Sequence, residues 1–159
     1  MKKNAEYNRT PKDKIVDIDK VCKLIKDNNL NLRLSLNMTD DFSNKRIEAI
    51  FDRAEELNAD QITFRKLYES ENNSKQNEWI KEHKCVDHKL SKIDSYVKAN
   101  GKMLEILPFG AVKYSLDGMG VCIDDDCMSE EVKSTLKYLI LRPNTKLYSR
   151  WDLKSSLIF

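Results

Sequence analysis

Two histidines and four cysteines are the first side chains to weigh for chemistry. His83-x-Cys85-x2-His88 lies close in sequence, and Cys122-x4-Cys127 could add two thiolates. Zinc takes about four nitrogen or sulfur ligands in a tetrahedron, so the atom types suit it. The spacing follows no common zinc pattern, and free cysteines are usually small core hydrophobes. His83, Cys85, His88, Cys122 and Cys127 are therefore candidates by atom type alone, and no metal is expected. The run Asp124, Asp125, Asp126 lacks the alternating ligands and the glycine of a calcium loop, which makes it a solvated acidic turn. No Ser-His-Asp grouping, phosphate-cradling glycine loop or paired catalytic carboxylate can be assembled. Neither catalytic residues nor a cofactor are expected.

The remaining chemistry is that of binding. Lys133, Lys137, Arg142, Lys146, Arg150 and Lys154 give the C-terminal stretch a basic excess, relieved by Asp152. With Tyr138, Tyr148 and Trp151 nearby, that stretch could touch nucleic acid by phosphate contact and stacking. Lysine also serves edge strands as protection against aggregation. Arg142, Lys146 and Arg150 are accordingly a secondary basic surface, and an RNA-binding module is a lesser alternative. Trp79 and Trp151 are expected in packing rather than as stacking platforms.

The chain of 159 residues fits one domain. Charged residues make up 34% and hydrophobic residues 40%, enough for a core. Lys+Arg at 28 against Asp+Glu at 26 gives +2, too balanced for a strongly basic nucleic-acid binder or an acidic mimic. No apolar run reaches the ~18 residues of a membrane span, and MKKNAEYNRTPKDK has no signal-peptide core. Four cysteines in such a chain read as reduced thiols in a cytoplasm.

The polar, basic residues 1–14 are expected to form a flexible arm. From Ile18 to Ile25 apolar residues recur at helical spacing, with Asp17 as N-cap. Residues 29–37 alternate strictly, Leu30, Leu32, Leu34 and Leu36 against Asn31, Arg33, Ser35 and Asn37, which predicts a strand. A helix capped by Ser43 follows, burying Ile47, Ile50, Phe51, Ala54 and Leu57. Residues 60–68 are a second strand, with Ile62 and Phe64 opposite Gln61, Thr63 and Arg65. Strand, helix and strand in that order imply parallel pairing through a right-handed crossover. Helices are expected at 77–83 and 87–100, the second closed by Gly101. Beyond residue 103, short apolar runs and turns, including Asp117-Gly118 and Pro143-Asn144, predict an antiparallel β-meander.

LRLSLN, a helix and LNADQITFRKLY resemble the late strand–helix–strand part of the radical S-adenosylmethionine barrel, in its molybdenum-cofactor-biosynthesis-like branch. FGAVKYSLDGMGVCID and LKYLILRPNTKLYSRWDLKSSLIF are similar to the C-terminal extension of bacterial and phage members. The resemblance covers roughly residues 28–159. It implies an α/β fold: a truncated half of a (β/α) barrel, with two parallel strands and flanking helices, plus a C-terminal antiparallel meander. The arrangement is then an arm at 1–14, a half-barrel with linker helices at 15–102 and the meander at 103–159, packed as one unit. Either the meander or a second copy would cover the two strands. The family's Cys-x3-Cys-x2-Cys cluster motif and the N-terminal half of the barrel are absent, so radical chemistry by this chain alone is nearly excluded. A short gene product that ends as the family ends is favoured over a fragment.

On a half-barrel, Leu30, Leu32, Leu34, Leu36, Ile62 and Phe64 belong under the helices. Arg33, Ser35, Asn37, Gln61, Thr63 and Arg65 then form the former lumen face, open to solvent or to a partner, with the two arginines as anchors. The resemblance and the chain's size imply a non-catalytic binding protein. The specific expectation is a phage-type anti-CRISPR inhibitor of a host-defence nucleoprotein effector, acting in the host cytoplasm on a protein or ribonucleoprotein target. A homodimer is compatible with this, and no membrane is involved. The enzyme-class alternative is a split radical S-adenosylmethionine protein whose partner supplies the cluster.

Overall fold

The structure, a computed structural model, describes residues 6–69, 74–107, 111–124, 139–149 and 154–158. Helix α1 is Ile18–Asp27, and the Asp17 carboxylate accepts from the Lys20 N–H at 3.3 Å, as an N-cap should. Strand β1, Arg33–Asn37, is followed by α2, Ile47–Glu56, and β2, Gln61–Arg65. Next come α3, Lys75–His83, and α4, Asp87–Asn100. Strands β3, Lys102–Ile106, β4, Val112–Leu116, and β5, Met119–Asp124, complete the main sheet. The short strands β6, Ile140–Leu141, and β7, Leu147–Tyr148, stand apart from it.

The sheet order is β1-β2-β5-β4-β3. Parallel β1–β2 pairing with α2 in the crossover follows the alternation of the sequence. The expected meander does not lie over these strands. β5 instead pairs parallel with β2, Ile62 beside Val121, and antiparallel with β4, so one mixed five-stranded sheet runs across residue 102. Asp117 (φ 49°) and Gly118 (φ 84°) make the tight β4–β5 turn, both in the left-handed region that a two-residue hairpin requires. Nor do β6 and β7 extend the meander. They pair with each other, through Ile140–Tyr148 and Leu141–Leu147, and Tyr148 of β7 also bridges antiparallel to Leu157.

The core occupies one face of the sheet. Ile62, Phe64, Val121 and Tyr114 meet Ile50, Phe51 and Ala54 of α2 and Ile93 and Val97 of α4. The Phe51 ring lies edge-on to Phe64 at 5.7 Å and stacks with Tyr96 at 5.5 Å. Several local expectations are corrected. Leu30 is 58% exposed in the turn after α1, because β1 begins only at Arg33. Ser43 does not cap α2, which starts after Arg46; its hydroxyl instead accepts from the Val86 N–H at 3.3 Å. Gly101 ends α4 without entering the left-handed region (φ −103°). Glycine is needed there for closeness, since a Cβ would meet the Val97 carbonyl oxygen at 2.8 Å and that of Ser115 at 3.0 Å.

The segment expected to be a free arm is tied down at Tyr7. Its ring packs on Trp79 and His83, at 5.9 and 5.4 Å, and its hydroxyl donates to the Asp40 carboxylate at 2.5 Å.

Asp60 knots the N-terminal ends of three strands. Its carboxylate accepts from the Leu32 N–H at 2.6 Å and from the Lys26 ammonium at 2.7 Å. Its own N–H donates to the Leu32 carbonyl, and its carbonyl accepts from Gly120 of β5. The Lys26 hydrogen bond first, and the Leu32 N–H next, hold the Asp60 carboxyl below the usual aspartate range. A depressed pKa contributes stability above the unfolded value of ~3.9, and that contribution is lost as pH falls through the folded value. Asp60→Asn is therefore expected to melt below the parent at neutral pH and to converge with it in acid. A gap unchanged from pH 7 to pH 2 in thermal unfolding would refute this assignment.

Candidate functional site

The face of the sheet turned away from α2 and α4 is polar by register. Directly opposed residues in paired strands point to the same side, so Arg33, Gln61, Gly120 and Ser115 form one row. Ser35, Thr63, Cys122 and Lys113 form the next, and Asn37, Arg65 and Asp124 the third. All six residues expected on this face from the sequence are brought together there. Asp124, expected in an acidic turn, is the last residue of β5, beside Arg65. Asp125 and Asp126 lie outside the described residues.

The face is not uniformly open, as the sequence led one to expect. Arg33, Ser35 and Asn37 are exposed on the edge strand β1, and Gln61 and Arg65 are half-buried. Thr63 is only 2% exposed and Cys122 only 5%. The centre of the sheet is thus shielded while its β1 side faces solvent. The Arg33 guanidinium leans inward over β2, its Nε donating to the Thr63 hydroxyl at 3.2 Å. Arg65 Nε is buried without a hydrogen-bond partner, the one such side-chain atom among the described residues. Lys113 reaches the Glu105 carboxylate of β3 at 3.2 Å. Burial first, then Asp124, pushes the Cys122 thiol up, against the opposing charges of Arg33, Arg65 and Lys113. Such a thiol is a protonated packing group rather than a nucleophile.

Lys113 and Asp124 were missed as members of this face. The alternation of 112–116 already sets Lys113 and Ser115 against Tyr114 and Leu116. Nothing local says that β5 will carry β4 alongside β2.

The zinc candidates are not assembled. His83 lies in the ring cluster with Trp79, at 4.8 Å, and His88 is exposed on α4. Cys85 is buried near Ser43, its sulfur 3.4 Å from the hydroxyl, and Cys122 is in the sheet. Cys127 lies outside the described residues. Among the described residues no three His, Cys, Asp or Glu side chains form a metal-holding group. Nor do the residues fit an iron–sulfur cluster, because Cys22, Cys85 and Cys122 are each buried on different parts of the fold.

The secondary basic surface is only partly described. The Arg142 guanidinium lies over the Tyr148 ring, 4.2 Å from its centroid, which makes it a packing group of the β6–β7 turn. Lys146 is exposed in that turn. Lys133, Lys137, Tyr138, Arg150, Trp151 and Asp152 lie outside the described residues, and Lys154 opens the 3-10 turn Lys154–Ser156.

No helix among the described residues is long and apolar enough to cross a membrane. No family model matches the chain, and no curated protein or solved structure matches it.

Proposed function

We propose that this chain is a non-catalytic binding protein that docks a target on the polar face of its sheet. The carrying observation is the convergence of Arg33, Ser35, Asn37, Gln61, Thr63 and Arg65 on that face, with the β1 row exposed. Neither Arg33 nor Arg65 forms an ion pair among the described residues, although the Arg33 Nε donates to Thr63 and the Arg65 Nε is buried, and their unmatched charge favours an acidic partner. The parallel β1–α2–β2 unit supports descent from half of a radical S-adenosylmethionine barrel. With that descent, the target we favour is a host-defence nucleoprotein effector of the CRISPR type, blocked in a phage-infected cytoplasm. The scattered Cys22, Cys85 and Cys122 speak against a cluster held by this chain, and the alternative of a cluster-bearing partner is left to the counter-test below.

The test is inhibition. The chain is mixed with purified CRISPR effectors of several types, and cleavage of target DNA is followed. Stoichiometric inhibition of at least one effector is expected. Arg33→Ala and Arg65→Ala are each expected to weaken binding to it by about 1–3 kcal/mol without lowering the melting temperature. Anaerobic reconstitution with iron and sulfide is the counter-test: cleavage of S-adenosylmethionine by the product would overturn the proposal. Normal inhibition by both arginine variants would move the interface elsewhere.

A further inference from the structure

We propose that the polar face recognises an acidic segment of a protein partner, whose carboxylates seat between the Arg33 and Arg65 guanidinium groups. The inference rests on the reading of that face as a docking surface, and it names the chemistry of what docks.

The two arginines stand at opposite ends of the β1–β2 ladder, in the Arg33–Gln61 and Asn37–Arg65 pairs. Arg33 is drawn inward over Thr63 by its 3.2 Å bond. By register Arg33, Arg65 and Lys113 share this face with the Asp124 carboxylate, three cations to one anion on β1, β2, β4 and β5. Lys113 already has Glu105, and Asp124 stands beside Arg65 without forming an ion pair among the described residues. The buried Arg65 Nε has no acceptor. An arginine N–H withdrawn from water without an acceptor is unfavourable, so a shift of the half-buried Arg65 side chain that brings this N–H to an incoming oxyanion would be favoured.

The rest of the face decides which oxyanion. Proteins that lay nucleic acid across a sheet stack its bases on aromatic side chains. No aromatic residue occupies this face on β1, β2, β5 or β4. A phosphate backbone also favours a continuous basic track, whereas Asp124 and Glu105 interrupt this one. Isolated, planar guanidinium forks suit discrete carboxylates. Ser35, Asn37 and Gln61 between them offer hydroxyl and amide groups suited to peptide backbone.

The experiment titrates the full chain with two probes of equal charge, an Asp/Glu-rich octapeptide and an oligouridine, while amide NMR shifts are followed. The peptide is expected to perturb residues 33–37, 61–65 and 120–124. Arg33→Gln and Arg65→Gln should each weaken it at least tenfold, whereas Arg46→Gln, on an exposed arginine beside Glu48, should leave it unchanged. Arg33→Lys, which keeps charge but loses the fork, should fall between parent and Arg33→Gln. Tighter binding of oligouridine at the face would overturn the proposal. So would no peptide shifts at millimolar concentration, or an equal loss with Arg46→Gln. Thermal melts of the variants separate unfolding from lost contacts, and the exposed Arg33 keeps the test valid should Arg65→Gln prove unstable. The two readings fail differently. If the arginine variants lose inhibition yet the peptide does not bind, the acidic-segment inference falls and the docking face stands. If the peptide binds but the variants inhibit normally, the docking reading falls instead.

Discussion

Val121→Asp is expected to abolish cooperative folding, with a loss of about 4 kcal/mol or more. Val121 is 0% exposed, between Ile62 of β2 and Tyr114 of β4, with its side chain on the apolar face. A carboxylate there would be taken out of water into the hydrophobic cluster, and ionised groups in such a place carry penalties of several kcal/mol. Far-ultraviolet circular dichroism and urea titration read the result. The control is Ser115→Asp on β4, on the opposite, part-exposed face, which should change stability by well under 1 kcal/mol. If Val121→Asp unfolds no more readily than Ser115→Asp, β5 is not the strand between β2 and β4.

Phe64→Ala is the second large effect, at about 3–5 kcal/mol. Phe64 is fully buried in β2, and its ring meets Phe51, which in turn stacks on Tyr96. Removing it takes away the transfer free energy of the ring and opens a cavity between the sheet and α2 and α4. The surrounding strands cannot close such a cavity fully. Against a total stability of ~5–15 kcal/mol, this leaves a marginal protein. Leu36→Ala, one strand outward and only partly buried, should cost clearly less. Equal denaturant midpoints for the two variants would show that the core is not centred on β2.

Much of this arrangement could be read from local pattern. The alternation Leu34–Leu36 against Arg33, Ser35 and Asn37 gave both the strand and its two faces, because a period of two has only one structural meaning. Helix α4 was bounded at 87–100 by its apolar spacing and by Gly101. The insertion of β5 beside β2 was not legible. Parallel pairing between distant strands is decided by burial of the apolar faces of Ile62, Phe64, Val121 and Ile123, and no turn residue records it. The N-cap of α2 was misplaced for a related reason. Ser43 has the chemistry of a cap, but the Val86 N–H from another part of the chain takes its oxygen. The candidate face was identified on β1 and β2 alone, so the shielding of Thr63 and the contribution of Lys113 came only with the assembled sheet.

The position of β5 also fixes the order in which the sheet can be made. The β4–β5 hairpin closes across two residues, and the β1–α2–β2 unit closes across one short helix, so both are fast local events. Joining them pairs residue 61 with residue 120, a long loop whose closure entropy must be met before any contact rewards it. Docking of these two preformed halves is therefore the expected slow step. During synthesis β2 waits with an open edge until residue 124 has left the ribosome, at ~5–20 residues per second. In that interval of seconds the nascent chain is most open to strand exchange with another copy of itself.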